Sequence, residues 1–201
     1  MTFEGLSTRL EGRLVVLEPL TAEHEAGLAR AADDAEVWRW MPRAISGPED
    51  FHGWMADALA EAEAGVSAPY AILNRVSGKP VGSSRYMTLR PEHRGLEIGY
   101  TWHASSTWGT GVNVEAKLLL LEHAFERLRC MRVEFKTDAR NERSRGALLA
   151  LPATFEGIFR KHMLVRGGEL RDSAYYAITD DEWPAVKAGL TQRLEAKLRD
   201  G

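Results

Sequence analysis

The sequence has a single cysteine, Cys130, so no disulfide can form within the chain, and a reducing cytoplasm is its expected home. It has no run near the roughly 18 to 20 apolar residues needed to span a bilayer, so membrane association is not expected. Met1-Thr-Phe-Glu-Gly5 offers neither the charged nor the apolar region of a secretory signal. A basic excess is missing too: 26 Lys and Arg stand against 29 Asp and Glu, a formal charge of −3, which disfavours nucleic acid as the principal partner. The six histidines show no close ligand spacing and no Cys/His cluster exists, so no metal site is expected. Repeats, low-complexity tracts and linker-like stretches are absent, and residues 1–201 are expected to form one domain with its core over about 10–195.

What is present is an ordinary globular composition, 44% hydrophobic and 27% charged. Alternation and turn residues predict strands at 13–18, 69–75, 81–87, 96–103, 132–137, 155–165 and 173–178. Helical spacing and caps predict helices at 22–33, 49–64, 113–129, 141–151 and 181–199, with a shorter helical piece at 37–41. Regular alternation of the strand at 96–103 would put Glu97, Gly99, Thr101 and His103 on one face, and Ile98, Tyr100 and Trp102 on the other. The helix at 113–129 shows a buried stripe of Ala116, Leu119, Leu120, His123, Ala124 and Leu128. This order implies an α/β or α+β fold, a mixed sheet of about seven strands with helices on its faces. Cys130 reads as a packing residue between helix and strand rather than a nucleophile.

The most informative segment is Ser105-Ser-Thr-Trp108-Gly109-Thr110-Gly111-Val112-Asn113, between a strand and a long helix. Two glycines one residue apart let several N–H groups point into one concavity, and the helix behind directs its positive end at the same point. Such a site suits a pyrophosphate, although a tight turn with no ligand has the same pattern. A Walker loop is excluded because Val112-Asn113 follows Gly111, and a dinucleotide fingerprint because position 114 is Val114.

Three segments in order are similar to the GCN5-related N-acetyltransferases (GNAT), in the branch with the RimJ/RimL-type ribosomal-protein N-terminal acetyltransferases. They are Leu96-Glu-Ile-Gly-Tyr-Thr-Trp102, Trp108-Gly-Thr-Gly-Val-Asn113 with Glu115-Ala-Lys117, and Asp138-Ala-Arg-Asn141-Glu-Arg-Ser144. Phe155-Glu-Gly157, Arg160-Lys-His162, Arg171-Asp172 and Tyr175-Tyr176 extend the likeness through the tail. The resemblance implies a mostly antiparallel sheet splayed between its fourth and fifth strands, with acetyl-CoA as co-substrate lying in the opening. Tyr100, Thr101, Trp102 and His103 would run beside the pantetheine arm, and Trp108, Gly109, Thr110, Gly111, Val112 and Asn113 would hold the pyrophosphate. Asn141 would lie beside the thioester, or serve only as a helix cap, and Arg140, Arg143 or Arg145 could meet the 3′-phosphate.

By the same resemblance, Glu97 matches the general base of the histone-modifying relatives, with His103 a weaker second choice, and a backbone N–H near Trp102 would polarise the carbonyl. Ser144 and Tyr176 are the candidates for hydrogen-bonding the departing thiolate. The acceptor, a primary amine of a protein N-terminus or a small molecule, would meet Trp38, Trp40, Met41, Trp54 and Tyr86, with Arg85 and Asp172 as polar anchors. Homodimerisation is compatible with the branch. The sequence departs from the family at Ser106, where a long polar residue is usual, and at Pro152, where glycine usually supplies a left-handed helix end. Those departures keep a second reading open, an acyl-CoA-binding sensor with little turnover. A third is a partner-binding domain whose glycine turn holds nothing.

Overall fold

Val15-Val-Leu17 and Tyr70-Ala-Ile72 are fully or nearly fully buried consecutive residues, so each of these strands must be covered on both faces. The computed structural model describes residues 2–200, without the side chain of Asp200, and shows how that covering is made. Eight strands form one sheet: β1 Leu10–Glu11, β2 Val15–Pro19, β3 Ala68–Asn74, β4 Pro80–Arg90, β5 Gly95–His103, β6 Arg132–Asp138, β7 Thr154–Val165 and β8 Glu169–Thr179. Their order is β1-β2-β3-β4-β5-β6-β8-β7. All pairs are antiparallel except β5 with β6. The short β1 is the strand that the alternation pattern did not reveal, since two residues carry no period.

The helices are α1 Glu25–Ala31, α2 Pro48–Glu63, α3 Val112–Glu122, α4 Glu142–Leu149 and α5 Trp183–Asp200. The expected helix at 22–33 is a 3₁₀ turn followed by α1, and the expected piece at 37–41 is a 3₁₀ turn at Ala35–Val37 running into irregular turns. Pro42 and Gly47-Pro48 leave no room for a full helix there. Pro48 instead opens α2 at a position where its missing N–H costs nothing, and Phe51, Trp54, Met55 and Ala58 form the buried face at helical spacing. The chain beyond α3 continues as a π turn at His123–Arg127.

Two cores result. The larger lies on the α3 and α5 side and includes Leu96, Ile98, Leu120, Val133, Phe135, Tyr176 and Cys130. The smaller lies on the α1 and α2 side, around Trp38, Phe51, Trp54 and Trp102. Burial pushes the Cys130 thiol up to about 12, as suits an inert packing residue. No helix among the described residues is long and apolar enough to cross a membrane.

One buried carboxylate locks the larger core. Glu115 of α3 accepts the N–H of Arg13 at 2.7 Å, of Leu14 at 2.6 Å and of Val15 at 2.8 Å, tying the entry of β2 to the helix. Gly12 permits this approach, because a Cβ there would collide with the carboxylate.

Candidate active site

Strands β5 and β6 pair over only three residues, Gly95–Glu97 against Arg132–Glu134. From Ile98 onward the edge of β5 that faced β6 has no strand partner, and a cleft of about 450 Å³ opens between them. The parting coincides with a β-bulge. Ser83 pairs with Trp102 and Arg85 with Gly99, so β5 carries one residue more than β4 across this stretch, and Tyr100 is held at φ +48°.

The bulge corrects the regular alternation expected for 96–103. Leu96 and Ile98 enter the larger core, and beyond the bulge Thr101 and His103 also face α3, through Lys117 and Asn113. Glu97 lies on the opposite face with Tyr100 and Trp102, of which Tyr100 stacks on Arg85 and Trp102 packs on Trp38 and Trp54. His103 therefore does not share a face with Glu97. One inserted residue shifts the period of two by one and exchanges the faces.

The loop leading into α3 has the geometry a phosphate needs. Gly109 sits at φ +77°, open to glycine at no steric cost, whereas Gly111 is needed for close approach to Leu14. Val112 N–H bonds back to Thr110 Oγ1, and Thr110 N–H to the Thr107 carbonyl. The N–H groups of Gly109, Gly111, Asn113 and Val114 have no protein acceptor among the described residues, which leaves the helix mouth able to receive an anion. Cations collect around it. Arg143 stacks on Trp108 at 3.7 Å, Lys197 donates to the Gly109 carbonyl at 2.8 Å, and Arg193 lines the same cleft.

Two titratable groups are buried under the α3 side of the cleft. Lys117 donates to Thr101 Oγ1 at 2.6 Å, and burial pushes its pKa down to about 7. His103 is pushed down to about 4, chiefly by burial and then by the Lys117 charge. It is therefore a neutral imidazole at pH 7, with Nε2 against Asn113 Oδ1 at 3.0 Å and a buried Nδ1 that has no partner. On the other face, Glu97 is buried, held by Lys136 at 3.3 Å and by the Thr88 hydroxyl at 3.1 Å.

The cleft thus brings together Glu97, Tyr100, Thr101, Trp102, His103, Trp108, Gly109, Thr110, Asn113, Asn141 and Ser144. Asn141 also caps α4, its Oδ1 accepting the Ser144 N–H at 3.1 Å. Gly111 and Val112 stand behind the loop, outside the cleft lining. Tyr176 and Arg145 are not in the lining either: Tyr176 is 1% exposed in the larger core, and its hydroxyl accepts Arg145 Nε at 3.1 Å. Arg140 is engaged by Asp138 and Glu169.

Of the expected acceptor residues, Trp40 and Met41 line the cleft. Trp38 and Trp54 are core, worth ~1.5–3 kcal/mol each in burial. Tyr86 lies in the other core, donating to the Leu120 carbonyl at 2.7 Å. Arg85 is ion-paired with Glu61, and Asp172 accepts the Lys161 N–H at the kink in β7. Sequence reasoning missed Lys117, Lys136, Arg171, Arg193 and Lys197, all cleft-lining. Lys117 stood inside a quoted motif, and its place one turn and a half along the helix from Val112 was the available signal.

Residues 14–152 match the family described as the acetyltransferase (GNAT) domain. A GCN5-related N-acetyltransferase from Brucella melitensis is 30% identical, with a TM-score of 0.86, covering 94% of this chain and 86% of that one. A candidate acetyltransferase from T. thermophilus is 42% identical, with a TM-score of 0.84, covering 92% and 96%. Mycobacterium smegmatis RimJ, solved in complex with CoA-disulfide, is 26% identical, with a TM-score of 0.78, covering 94% and 96%. A search of the curated proteins returned no match.

Proposed function

The chain belongs to the GNAT family of N-acetyltransferases, and from that premise we propose that it moves an acetyl group from acetyl-CoA directly to a primary amine, of a protein N-terminus or a small molecule, in the cytoplasm. The observation that carries the reading is the unpartnered edge of β5 opening beside a helix mouth with free amides and three cations. The residues present fit the co-substrate. Gly109 to Asn113 would hold the pyrophosphate, with Arg143, Arg193 and Lys197 balancing its charge, and Tyr100 to His103 would flank the pantetheine arm.

Bound acetyl-CoA supplies the reactive acetyl thioester. The chain's own residues govern the protons. An ammonium acceptor must lose a proton before its nitrogen can bond to carbon, and Glu97 is the carboxylate in the cleft to take it, directly or through water. The carbon–sulfur bond then breaks, and the Ser144 hydroxyl is the donor to sulfur, Tyr176 being too deep in the core. His103, neutral and bonded to Asn113, acts in this scheme by fixing the loop beside β5.

One observation favours a second reading. Glu97 is already engaged by Lys136 and Thr88, which suits an acyl-CoA-binding protein with little turnover. Two measurements decide. CoA at 100 times its Kd should raise stability by about 2.7 kcal/mol in a thermal scan, and acetyl-CoA with a panel of amines should release free thiol. An unshifted melting point at millimolar CoA would end the transferase reading, whereas a shift without thiol release would leave the sensor.

A further inference from the structure

Two arginines are buried among the described residues, Arg85 and Arg171, and they differ in what neutralises them. Arg85 has Glu61 at 2.8 Å and lies over the ring of Tyr100 at 4.3 Å. Arg171, 4% exposed, lines the cleft; its buried Nε, like that of Arg85, has no hydrogen-bond partner, and no carboxylate among the described residues is ion-paired with it. Asp138 and Glu97 lie near enough to favour its charge, but each is bonded to another cation. Glu97 is paired with Lys136, Asp138 with Arg140 and Arg166, and Glu169 with the same two arginines. In this group four cations face three carboxylates, and Arg171 is the one left over.

Position adds to charge. Ser173 pairs with Asp138 and Tyr175 with Lys136, so alternation along β8 sets Arg171 on the face that carries Glu97 and Lys136, away from α3. That is the face opposite the Lys117–Thr101 bond, and it shares the cleft with Trp40, Met41 and Met163. A guanidinium taken out of water with no carboxylate bonded to it is costly, so a buried one lining a cleft marks a place where an anion belongs.

The geometry points to Arg171 as the binding group for a carboxylate on the acceptor, making the acceptor an amine that bears one carboxylate, such as an amino acid. A monoanion balances the single surplus cation, while a phosphate dianion would leave an unmatched charge beside Glu97 and Asp138. The planar fork of arginine matches a carboxylate in two parallel hydrogen bonds. This inference rests on the transferase reading for the amine but not for the anion site.

The test compares acid with amide: glycine with glycinamide, β-alanine with β-alaninamide, leucine with leucinamide, γ-aminobutyrate with its amide. Thiol release from acetyl-CoA gives kcat/KM, and the melting point of the CoA-loaded protein gives binding for any pair that is not turned over. The α-amides have the more readily neutral amines, so chemistry alone favours them. At least one acid is expected to exceed its amide by tenfold or more. In Arg171→Met that advantage should fall below threefold, while Arg171→Lys keeps part of it. Amides that match their acids in both readouts would overturn the inference, as would an acid advantage that survives Arg171→Met. The wild-type comparison needs no substitution, so a variant that fails to fold does not rescue the idea. Loss of CoA binding altogether would sink the transferase reading instead, and the acid–amide contrast in melting point would still judge the anion site.

Discussion

The ammonium of Lys117 reaches Thr101 Oγ1 across 2.6 Å, and Thr101 is in turn bonded to Ser84 at 2.7 Å. A helix and two strands are thereby joined by a chain of polar side chains on the α3 side of the parted strands. The lysine is buried over the Phe135 ring, with a hydroxyl rather than a carboxylate for a partner. Its charged form is therefore penalised in the folded state.

That penalty has a pH signature. The folded pKa of about 7 lies below the unfolded value, so between them the unfolded chain binds more protons and stability rises with pH. Below about pH 7 both states are charged and the full cost of burying the ammonium remains. Wild type should thus gain stability relative to Lys117→Met from about pH 7 toward pH 10. Denaturant melts of both proteins across that range check it, and parallel curves would remove Lys117 as a buried titrating group.

Glu97→Gln keeps an acceptor for Lys136 and Thr88 but removes the basic carboxylate. The expected result is a fall in kcat of about 100-fold or more, with CoA affinity unchanged. Steady-state rates with saturating acetyl-CoA are the measurement. An unaltered kcat would assign proton removal to water.

Arg193→Ala and Lys197→Ala take one cation each from the helix mouth. Each should weaken CoA binding by about three- to tenfold, with a shallower salt dependence than wild type. Calorimetric titration at two salt concentrations tests this. Equal affinities would show that the phosphates are held without α5.

Pro152 follows the last turn of α4, where a glycine would supply a left-handed end and a backbone N–H. The turn closes all the same, the Ala153 N–H reaching the Leu148 carbonyl at 3.1 Å. What proline cannot provide is the second N–H of that motif. Pro152→Gly should add that donor, raising the melting temperature. A lower melting temperature would show that the ring's rigidity outweighs the added donor.

Glu115→Ala should be among the most damaging single changes. It strips three backbone N–H groups of one charged acceptor, at a cost of about 3–5 kcal/mol. Urea unfolding measures it, and a loss under 1 kcal/mol would mean that water replaces the carboxylate.

The sequence by itself determined the order of strands and helices, since periods of two and 3.6 are local properties that side chains write along the chain. It also located the glycine loop, because the left-handed backbone at Gly109 and the helix behind it are encoded within a few residues. It could not show which face Glu97 shares, because one residue inserted against β4 exchanges the faces and carries no mark in composition. Nor could it gather Lys117, Arg171, Arg193 and Lys197 into one cleft. They come from a helix, a strand and the C-terminal helix, and only the packing of those elements against the parted sheet decides which charges meet there.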